Sequence, residues 1–388
     1  MNRPHRFRPR RYGLHLADLR RDRTRSHGII NYALGLARAL PATLSDDEDL
    51  VVYANPAIQD ELEQHGGVEG ASIRLLDAPG GTPGRLALDH VGVLRAARRD
   101  RVEVMHFPKG FLPVWRPEWP AFVATMHDDI TVRYARGELG GRPERGPHAR
   151  YFLWSTRHTL RQAHQICTVS AFSRDRIHAL AAEAGIGAPP PVTVTHQASS
   201  LPSLSPLPRA AKEPWLLHIG SSLPHKRTGD AVRWAARYLA RRELHLQLVV
   251  TGSVEPGVAD LVRRSGGRVI EGTLSSAELA DLLHRSRALL FSSSYEGFGL
   301  PPLEAYLLGT PVVYADAAAV VEVLDGAVGG YAASQGYGGF AQALDAVLAL
   351  DDDEVARVRE NLQNRFSWAA TAGKTLEAYR SAAKALDR

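Results

Sequence analysis

Residues 292–304, which read SSSYEGFGLPPLE, are the stretch that decides the fold. They follow the apolar run Ala288–Ser292, which predicts a buried strand, and they lead into a helix predicted over Leu303–Leu308. Gly297 and Gly299 allow the backbone to approach a ligand closely. Because the free N–H groups at the start of a helix bind anions, this strand–loop–helix unit predicts an anion site.

Two carboxylates and two prolines give this stretch its chemistry. Glu296 lies in the loop and Glu304 in the first turn of the predicted helix, so both carboxylates can face a bound ligand. Carboxylates accept hydrogen bonds from the paired hydroxyls of ribose or of a hexose. Pro301 and Pro302 suit a first helical turn, where no N–H is needed. The alternative is structural: Glu304 would stabilise the helix N-terminus, and Glu296 would be solvated.

An alternation of strands and helices continues on both sides of this stretch. Short apolar runs predict eight further strands: Val51–Ala54, Val102–Phe107, Ala121–Met126, Gln165–Val169, Leu216–Ile219, Leu244–Thr251, Val269–Ile270 and Pro311–Ala315. Helical patterns between them predict βαβ units and mainly parallel sheets. The proline-rich stretch 188–214 interrupts the pattern and predicts a linker. We therefore expect an α/β protein with two Rossmann-like, doubly wound domains facing a central cleft.

The net charge of +5 is concentrated at the N-terminus. Residues 1–25 contain nine Arg and two Asp, a net charge of +7, so the remaining residues sum to −2. A nucleic-acid-binding protein would need a basic stripe beyond residue 25, so this class is not favoured. The arginines form either a solvated tail, which we favour, or a contact with anionic lipid. The single cysteine, Cys167, excludes a scaffold built on internal disulfides.

The sequence contains no continuous apolar stretch long enough to cross a bilayer, and the N-terminal arginines precede no apolar signal-peptide core. We expect a cytoplasmic protein, with at most peripheral contact at the inner face of the membrane. No D-x-D element follows a predicted strand, so we expect no metal and no other cofactor. Asp351–Asp353 is interpreted as a charge cluster at a helix start.

Six segments, in order, resemble retaining glycosyltransferases of family 4 with the GT-B fold. The stretch around Glu296 and Glu304 resembles the E-x(7)-E element of that family. The other segments are the Gly28 loop with the following helix, the strand end at 126–129, and residues 163–174, 217–227 and 366–380. The resemblance covers most of the chain. Within it, the sequences His225-Lys226 and His127-Asp128-Asp129 resemble the mannosyltransferase-like branch.

The resemblance implies a role for each of a set of residues. Glu296 and His127 would contact the transferred sugar, as catalytic residues, with Asp128 orienting His127. The other implied residues bind the nucleotide-sugar donor: Gly28, Gly220, Lys226, Arg227, Phe298, Gly299, Leu300 and Glu304. Among these, Lys226 and Arg227 would hold the diphosphate and Glu304 the ribose. The usual Arg after Gly220 is replaced by Ser221, for which Arg227 would compensate.

The implied activity is retaining transfer of a sugar from a nucleotide donor, with mannose from GDP-mannose favoured, to a saccharide, lipid-linked or small-molecule acceptor. Residues 1–200 would form the acceptor domain and 201–368 the donor domain, with a C-terminal helix over about 369–388 packing back on the first domain. One alternative is a catalytically silent nucleotide-sugar binding protein. Another, a dinucleotide-dependent oxidoreductase, lacks a G-x-G-x-x-G motif after a strand.

Overall fold

The chain forms two compact units, each built on a parallel sheet. The structure is a computed structural model that describes residues 9–21, 27–63, 66–76, 84, 87–116, 118–140, 143–144, 146–242, 247–272 and 274–386. The first unit comprises residues 1–135, 144–198 and 367–388, and the second comprises 136–143 and 199–366.

The first unit contains a seven-stranded sheet of order β3-β2-β1-β4-β5-β6-β7. Its strands are β1 Arg10–His15, β2 Glu48–Ala54, β3 Ala71–Leu75, β4 Val104–Phe107, β5 Ala121–Thr125, β6 Gln165–Thr168 and β7 Val192–Val194. The helices between them are α1 His27–Ala39, α2 Pro56–Glu63, α3 Val93–Asp100, α4 Ile130–Arg136, α5 Pro147–Gln162 and α6 Ala171–Glu183. Every pairing in the sheet is parallel, and the chain reverses its direction of winding between β1 and β4.

The second unit contains a six-stranded parallel sheet of order β10-β9-β8-β11-β12-β13. Its strands are β8 Trp215–Gly220, β9 Gln247–Gly252, β10 Arg268–Ile270, β11 Ala288–Phe291, β12 Val312–Ala315 and β13 Gly330–Tyr331. Its helices are α7 Thr228–Arg242, α8 Pro256–Arg264, α9 Ser276–Arg285, α10 Leu300–Leu307, α11 Ala318–Leu324, α12 Gly336–Ala349 and α13 Asp352–Arg365. The prediction of two Rossmann-like α/β sheets is confirmed.

The last helix, α14 (Trp368–Lys384), belongs to the first unit. Arg380 donates two hydrogen bonds to the Glu48 carboxylate at 2.8 and 2.7 Å, and Tyr12 donates a third at 2.8 Å. These donors, Arg380 first, lower the pKa of Glu48 to about 2. One turn of α14 is therefore held to β1 and β2 by a charge-assisted cluster.

Two capping predictions agree with the structure. Ser275 and Glu278 form a reciprocal capping box at the start of α9, as the S-x-x-E pattern predicted. Asp351 caps α13 in the same way with Glu354, so the acidic run at 351–353 is a helix start. Both are local interactions over three residues, which is why sequence spacing alone predicts them.

Four expectations need correction. The first strand, β1, was not predicted, because Arg10, Arg11 and Gly13 break the apolar pattern of a central strand. Gly28 lies within the first turn of α1 and not in a loop. Helix α10 starts at Leu300, so Glu304 lies in its second turn.

The fourth correction concerns segment 136–143, which was assigned to the first domain. Its residues group with the second unit, where a Cβ on Gly140 would lie 3.0 Å from Cβ of Pro224. Segment 188–214 contains the short strand β7, which lies at the edge of its sheet, where proline neighbours are tolerated. The units divide between Ala198 and Ser199 and again between Phe366 and Ser367.

Candidate functional site

The predicted donor residues of the second unit converge at the carboxyl ends of two adjacent strands. Strands β8 and β11 are paired in the middle of the sheet. Gly220 is the last residue of β8, the loop that follows carries Lys226 and Arg227, and the loop after β11 carries Glu296 and leads into α10. Parallel sheets place ligand sites at this edge, so the topology supports the predicted location.

Lys226 and Glu296, predicted for different parts of the donor, form an ion pair. The Lys226 Nζ lies 2.6 Å from Glu296 Oε1, with the two side chains 28% and 11% exposed. The two loops are also tied by their backbones: Ser294 N–H donates to the His225 carbonyl at 2.8 Å. The Ser292 hydroxyl donates to the Lys226 carbonyl, also at 2.8 Å. The ammonium and the carboxylate are therefore preorganised within one rigid pair of loops.

Arg227 faces a different region from Lys226. Its backbone is left-handed, with φ +51°, and its guanidinium donates to Asp230 Oδ2 at 2.9 Å. It also stacks over the Trp234 ring at 5.5 Å. With Arg233 it lines a cavity of about 250 Å³ at the N-terminus of α7. Asp230 was not predicted, although an Asp three residues after an Arg at a helix start is the signal for such a pair.

Gly220 is required by close packing at the end of β8. A Cβ at this position would lie 3.2 Å from the Thr251 carbonyl oxygen and 3.0 Å from Val254 Cγ2. Its neighbour on β9, Gly252, has φ +95°, and a Cβ there would lie 2.6 Å from the Gly220 carbonyl. The contact between these strand ends is therefore backbone to backbone, which leaves no room for larger side chains.

The N-terminus of α10 has the geometry expected of an anion site. Gly299 is the N-cap, with φ +101°, and Leu300 is the first helical residue. Because Pro301 and Pro302 have no N–H, the Gly299 and Leu300 amides are the donors at this helix start. Phe298 is 3% exposed and packs edge-on against Phe366, with ring centroids 5.4 Å apart. This packing fixes the backbone that precedes the two amides.

Glu304 is a buried acid. It is 4% exposed, and burial raises its pKa to about 8, while a hydrogen bond from Ser199 acts in the opposite direction. The carboxyl is therefore largely protonated at neutral pH and has both a donor and acceptors for ligand hydroxyls. It therefore does not supply the negative charge that the structural alternative placed at the helix N-terminus, and Glu296, whose side chain is 11% exposed, is not the solvated carboxylate of that alternative.

His127 lies in the first unit, just after β5. Its Nε2–H donates to the Pro108 carbonyl at 2.8 Å, so Nδ1 is the acceptor nitrogen of the neutral ring. Burial lowers its pKa to about 4. Asp128, which was expected to orient His127, instead accepts from the Ile130 N–H at 2.9 Å at the start of α4. The Pro108 carbonyl thus sets the tautomer, which the sequence order did not indicate.

The described part of the chain shows neither a metal cluster nor a membrane-spanning helix. Among these residues, no group of three or more His, Cys, Asp or Glu side chains is placed to hold a metal ion. Within the same residues, no helix combines the length and apolarity that a membrane span requires.

The sequence matches two family models, one in each half. "Glycosyl transferase 4-like domain" matches residues 27–186, and "Glycosyl transferases group 1" matches residues 213–350. The second match contains Gly220, Lys226, Glu296 and Glu304, and the first contains His127.

Known proteins with similar sequences and structures agree with these matches. The chain is 29% identical to an MMP alpha-(1->4)-mannosyltransferase of Mycolicibacterium hassiacum, over 74% of this chain and 72% of that protein. It is 27% identical to O-antigen chain mannosyltransferase B of Escherichia coli, over 91% and 96%. The structure of Anabaena HepE, solved with UDP and glucose, superposes with a TM-score of 0.64 at 16% identity, over 95% and 98%. The chain therefore belongs to the group 1, family 4 glycosyltransferases, and it is a transferase enzyme of the GT-B fold.

Proposed function

We propose that this protein transfers a hexosyl group, with retention of anomeric configuration, from a nucleoside diphosphate sugar to a saccharide or lipid-linked acceptor. GDP-mannose is the favoured donor. The observation that carries the proposal is the Lys226–Glu296 pair, held 2.6 Å apart beside the N-terminus of α10. A cation, a carboxylate and two backbone N–H groups at a helix start match a ligand that contains both phosphate and hydroxyl groups.

The charge changes of the reaction assign the roles. When the bond from the anomeric carbon to the phosphate oxygen breaks, its electrons stay on that oxygen, and the departing diphosphate gains negative charge. The Lys226 ammonium and the Gly299 and Leu300 N–H groups stabilise that charge where it develops. The acceptor oxygen then bonds to the anomeric carbon on the same face, and its proton passes to the departing phosphate. No side-chain base and no metal are part of this proposal.

The other residues bind and orient the donor. Glu296 accepts hydrogen bonds from the transferred sugar, and the largely neutral Glu304 exchanges hydrogen bonds with the ribose hydroxyls. His127 presents Nδ1 as a neutral acceptor for a sugar hydroxyl. Arg227, already paired with Asp230, contributes long-range positive potential to the phosphate region.

The choice of mannose rests on similarity. Both relatives described above are named as mannosyltransferases, and the His225-Lys226 sequence matches the mannosyltransferase-like branch. The fold neighbour bound UDP and glucose, so uridine donors are the competing class.

Calorimetric titration with GDP, UDP, ADP and dTDP tests the donor. We expect GDP to bind at least about tenfold more tightly than the others, which corresponds to about 1.4 kcal/mol. Tighter binding of UDP than of GDP would mean that the donor is a UDP-sugar and not GDP-mannose. If no nucleotide binds, the proposed transferase site is rejected.

Release of GDP from GDP-mannose separates the enzyme from a silent binding protein. Wild-type protein should release GDP at a rate that falls in Lys226→Ala. The exposed Arg241→Ala, which removes a cation elsewhere in the same unit, should be unaffected. Binding of GDP without any release, even with saccharide acceptors present, would support the silent binding protein.

A further inference from the structure

A second cluster of charged side chains lies at the carboxyl edge of the first unit's sheet. It consists of His15, the last residue of β1; Asp18, in the turn that follows; Asp89; and Lys109, just after β4. Strands β1 and β4 are neighbours, and the chain winds in opposite directions on their two sides. This is the switch point of a doubly wound sheet, where such folds bind ligands.

The imidazole of this cluster is deeply buried and lacks a hydrogen-bond partner. His15 is 3% exposed, and its Nε2 lies 3.8 Å from Asp18 Oδ1 and 3.8 Å from Asp89 Oδ1. These distances exceed hydrogen-bond range. Among the described residues, both ring nitrogens of His15 and the Oδ1 atoms of Asp18 and Asp89 have no hydrogen-bond partner.

Buried polar atoms without partners are costly, at about 1–3 kcal/mol each, and are therefore rare. Three of the four face one another, His15 Nε2 and the Oδ1 atoms of Asp18 and Asp89, and hydroxyl groups or waters bonded to them would satisfy them. A nearby buried histidine shows the contrast. His106 on β4 bonds Tyr379 through Nδ1 and Thr125 through Nε2, both at 2.7 Å.

The backbone around the cluster is fixed, so the side chains cannot easily collapse onto each other. Asn55 donates to the carbonyls of Ala17 and Leu19 at 3.0 and 2.7 Å, which holds the turn that carries Asp18. On the other side, Gly110 has φ +84°, and a Cβ there would lie 2.8 Å from a backbone carbonyl of β5. That turn carries Lys109, whose Nζ lies 3.5 Å from Asp18 Oδ2.

We infer that His15, Asp18, Asp89 and Lys109 bind hydroxyl groups of the acceptor, and that the part of the acceptor bound here is an uncharged polyol. The two carboxylates accept hydrogen bonds from adjacent hydroxyls. Lys109 and one nitrogen of His15 donate to hydroxyl oxygens. This assignment rests on the proposed function, since it gives the acceptor of that reaction a place in the first unit.

The charge of the cluster selects between acceptor classes. Two carboxylates face one lysine, so the cluster has a net charge of −1 with neutral His15 and 0 with the protonated ring. A phosphate or carboxylate on the acceptor would meet two like charges within hydrogen-bond reach and would be disfavoured. A neutral sugar ring gains hydrogen bonds to ionised groups, which are stronger than bonds between neutral groups.

Ligand-observed NMR titration tests the inference on the full-length protein, with methyl α-D-mannopyranoside, methyl α-D-glucopyranoside and mannose 6-phosphate as probes. At least one methyl glycoside should bind the wild type more tightly than the phosphorylated sugar does. Its affinity should fall at least about tenfold in Asp18→Asn and in Asp89→Asn. The exposed Asp46→Asn in the same unit is the matched control and should bind as the wild type does.

A second measurement does not depend on the stability of the aspartate variants. In protein labelled with ¹⁵N-histidine, the ring-nitrogen signals of His15 are those that are missing from the spectrum of His15→Gln. The methyl glycoside should shift these signals and leave the His106 signals in place. Calorimetry with GDP accompanies every sample, because nucleotide binding that is equal in all variants separates this site from the donor site.

The outcomes are distinguishable. Failure of GDP to bind the wild type rejects the proposed function itself. With GDP binding intact, the acceptor assignment is overturned if neither glycoside binds, if the aspartate variants bind as the control does, or if the phosphorylated sugar binds best.

Discussion

The carboxyl edges of the two sheets carry similar residues in opposite states. At the end of β8 and β11, Lys226 and Glu296 are already joined at 2.6 Å. At the end of β1, the ring nitrogens of His15 lie 3.8 Å or more from their nearest carboxylates and bond nothing among the described residues. A paired charge can remain stable without ligand, whereas unpaired buried groups indicate a missing partner. Under the two proposals, the Lys226–Glu296 pair would exchange partners when the donor binds, and the His15 cluster would gain partners when the acceptor binds.

Glu304 should have the largest effect on stability, because it is a buried acid with no cation beside it in its described surroundings. Its pKa is about 8 in the folded state against an ordinary 4.5, so folding favours the proton. The resulting stability is complete below pH 4.5 and is lost as the pH rises through 8. At about 1.4 kcal/mol per pKa unit, the loss approaches about 3 to 5 kcal/mol.

Urea unfolding of wild type and Glu304→Gln between pH 5 and 9 measures this loss. The wild type should lose stability relative to the variant as the pH rises. The exposed Glu360→Gln should run parallel to the wild type throughout, and a parallel course for Glu304→Gln would contradict the prediction.

Substitutions of the two members of the Lys226–Glu296 pair should affect GDP binding differently, although both should lower turnover. Lys226→Ala removes the cation from the leaving group and should lower kcat about 10²- to 10³-fold, with weaker GDP binding. Glu296→Gln frees Lys226 from its partner, so GDP binding should be unchanged or tighter while turnover falls. Steady-state kinetics and calorimetry check both variants. Equal losses of GDP affinity in the two would mean that the pair acts as one structural unit.

The paired histidine of the first unit should be sensitive to the loss of one bond. Tyr379→Phe leaves the buried His106 Nδ1 without its partner and should destabilise the fold by about 1 to 3 kcal/mol. Burial already lowers the pKa of His106 to about 3, so the ring cannot respond by taking up a proton at neutral pH. Denaturant unfolding measures the loss, and Tyr337→Phe in the second unit is the control. If Tyr379→Phe leaves the unfolding free energy unchanged, the hydrogen bonds of His106 do not distinguish it energetically from the unpartnered His15.

The unpaired cluster should give the smallest change in stability. Asp89→Asn removes one of two like charges and breaks no hydrogen bond present among the described residues, so its unfolding free energy should stay within about 1 kcal/mol of wild type. Thermal unfolding without ligand checks this. A loss comparable to that of Tyr379→Phe would show that the Asp89 carboxylate is structural.

Much of the second unit could be predicted from its sequence. The strands β11 and β12 are continuous apolar runs, and the capping boxes at Ser275 and Asp351 are encoded within four residues. The first unit was less predictable. Strand β1 begins with two arginines, whose charges are met by Asp49 and Glu103, residues distant in sequence. A strand stabilised by such contacts does not show the apolar pattern of a central strand.

The sequence by itself determined the α/β alternation, the resemblance to the glycosyltransferase family, and the residue types at the proposed donor site. All three depend on the identity and spacing of residues that are close together along the chain. Only the tertiary structure decided which distant groups lie together: Lys226 with Glu296, and His15 with Asp89. It also decided that Glu304 holds its proton. Burial and distance set electrostatic interactions, and both depend on which segments the fold brings together.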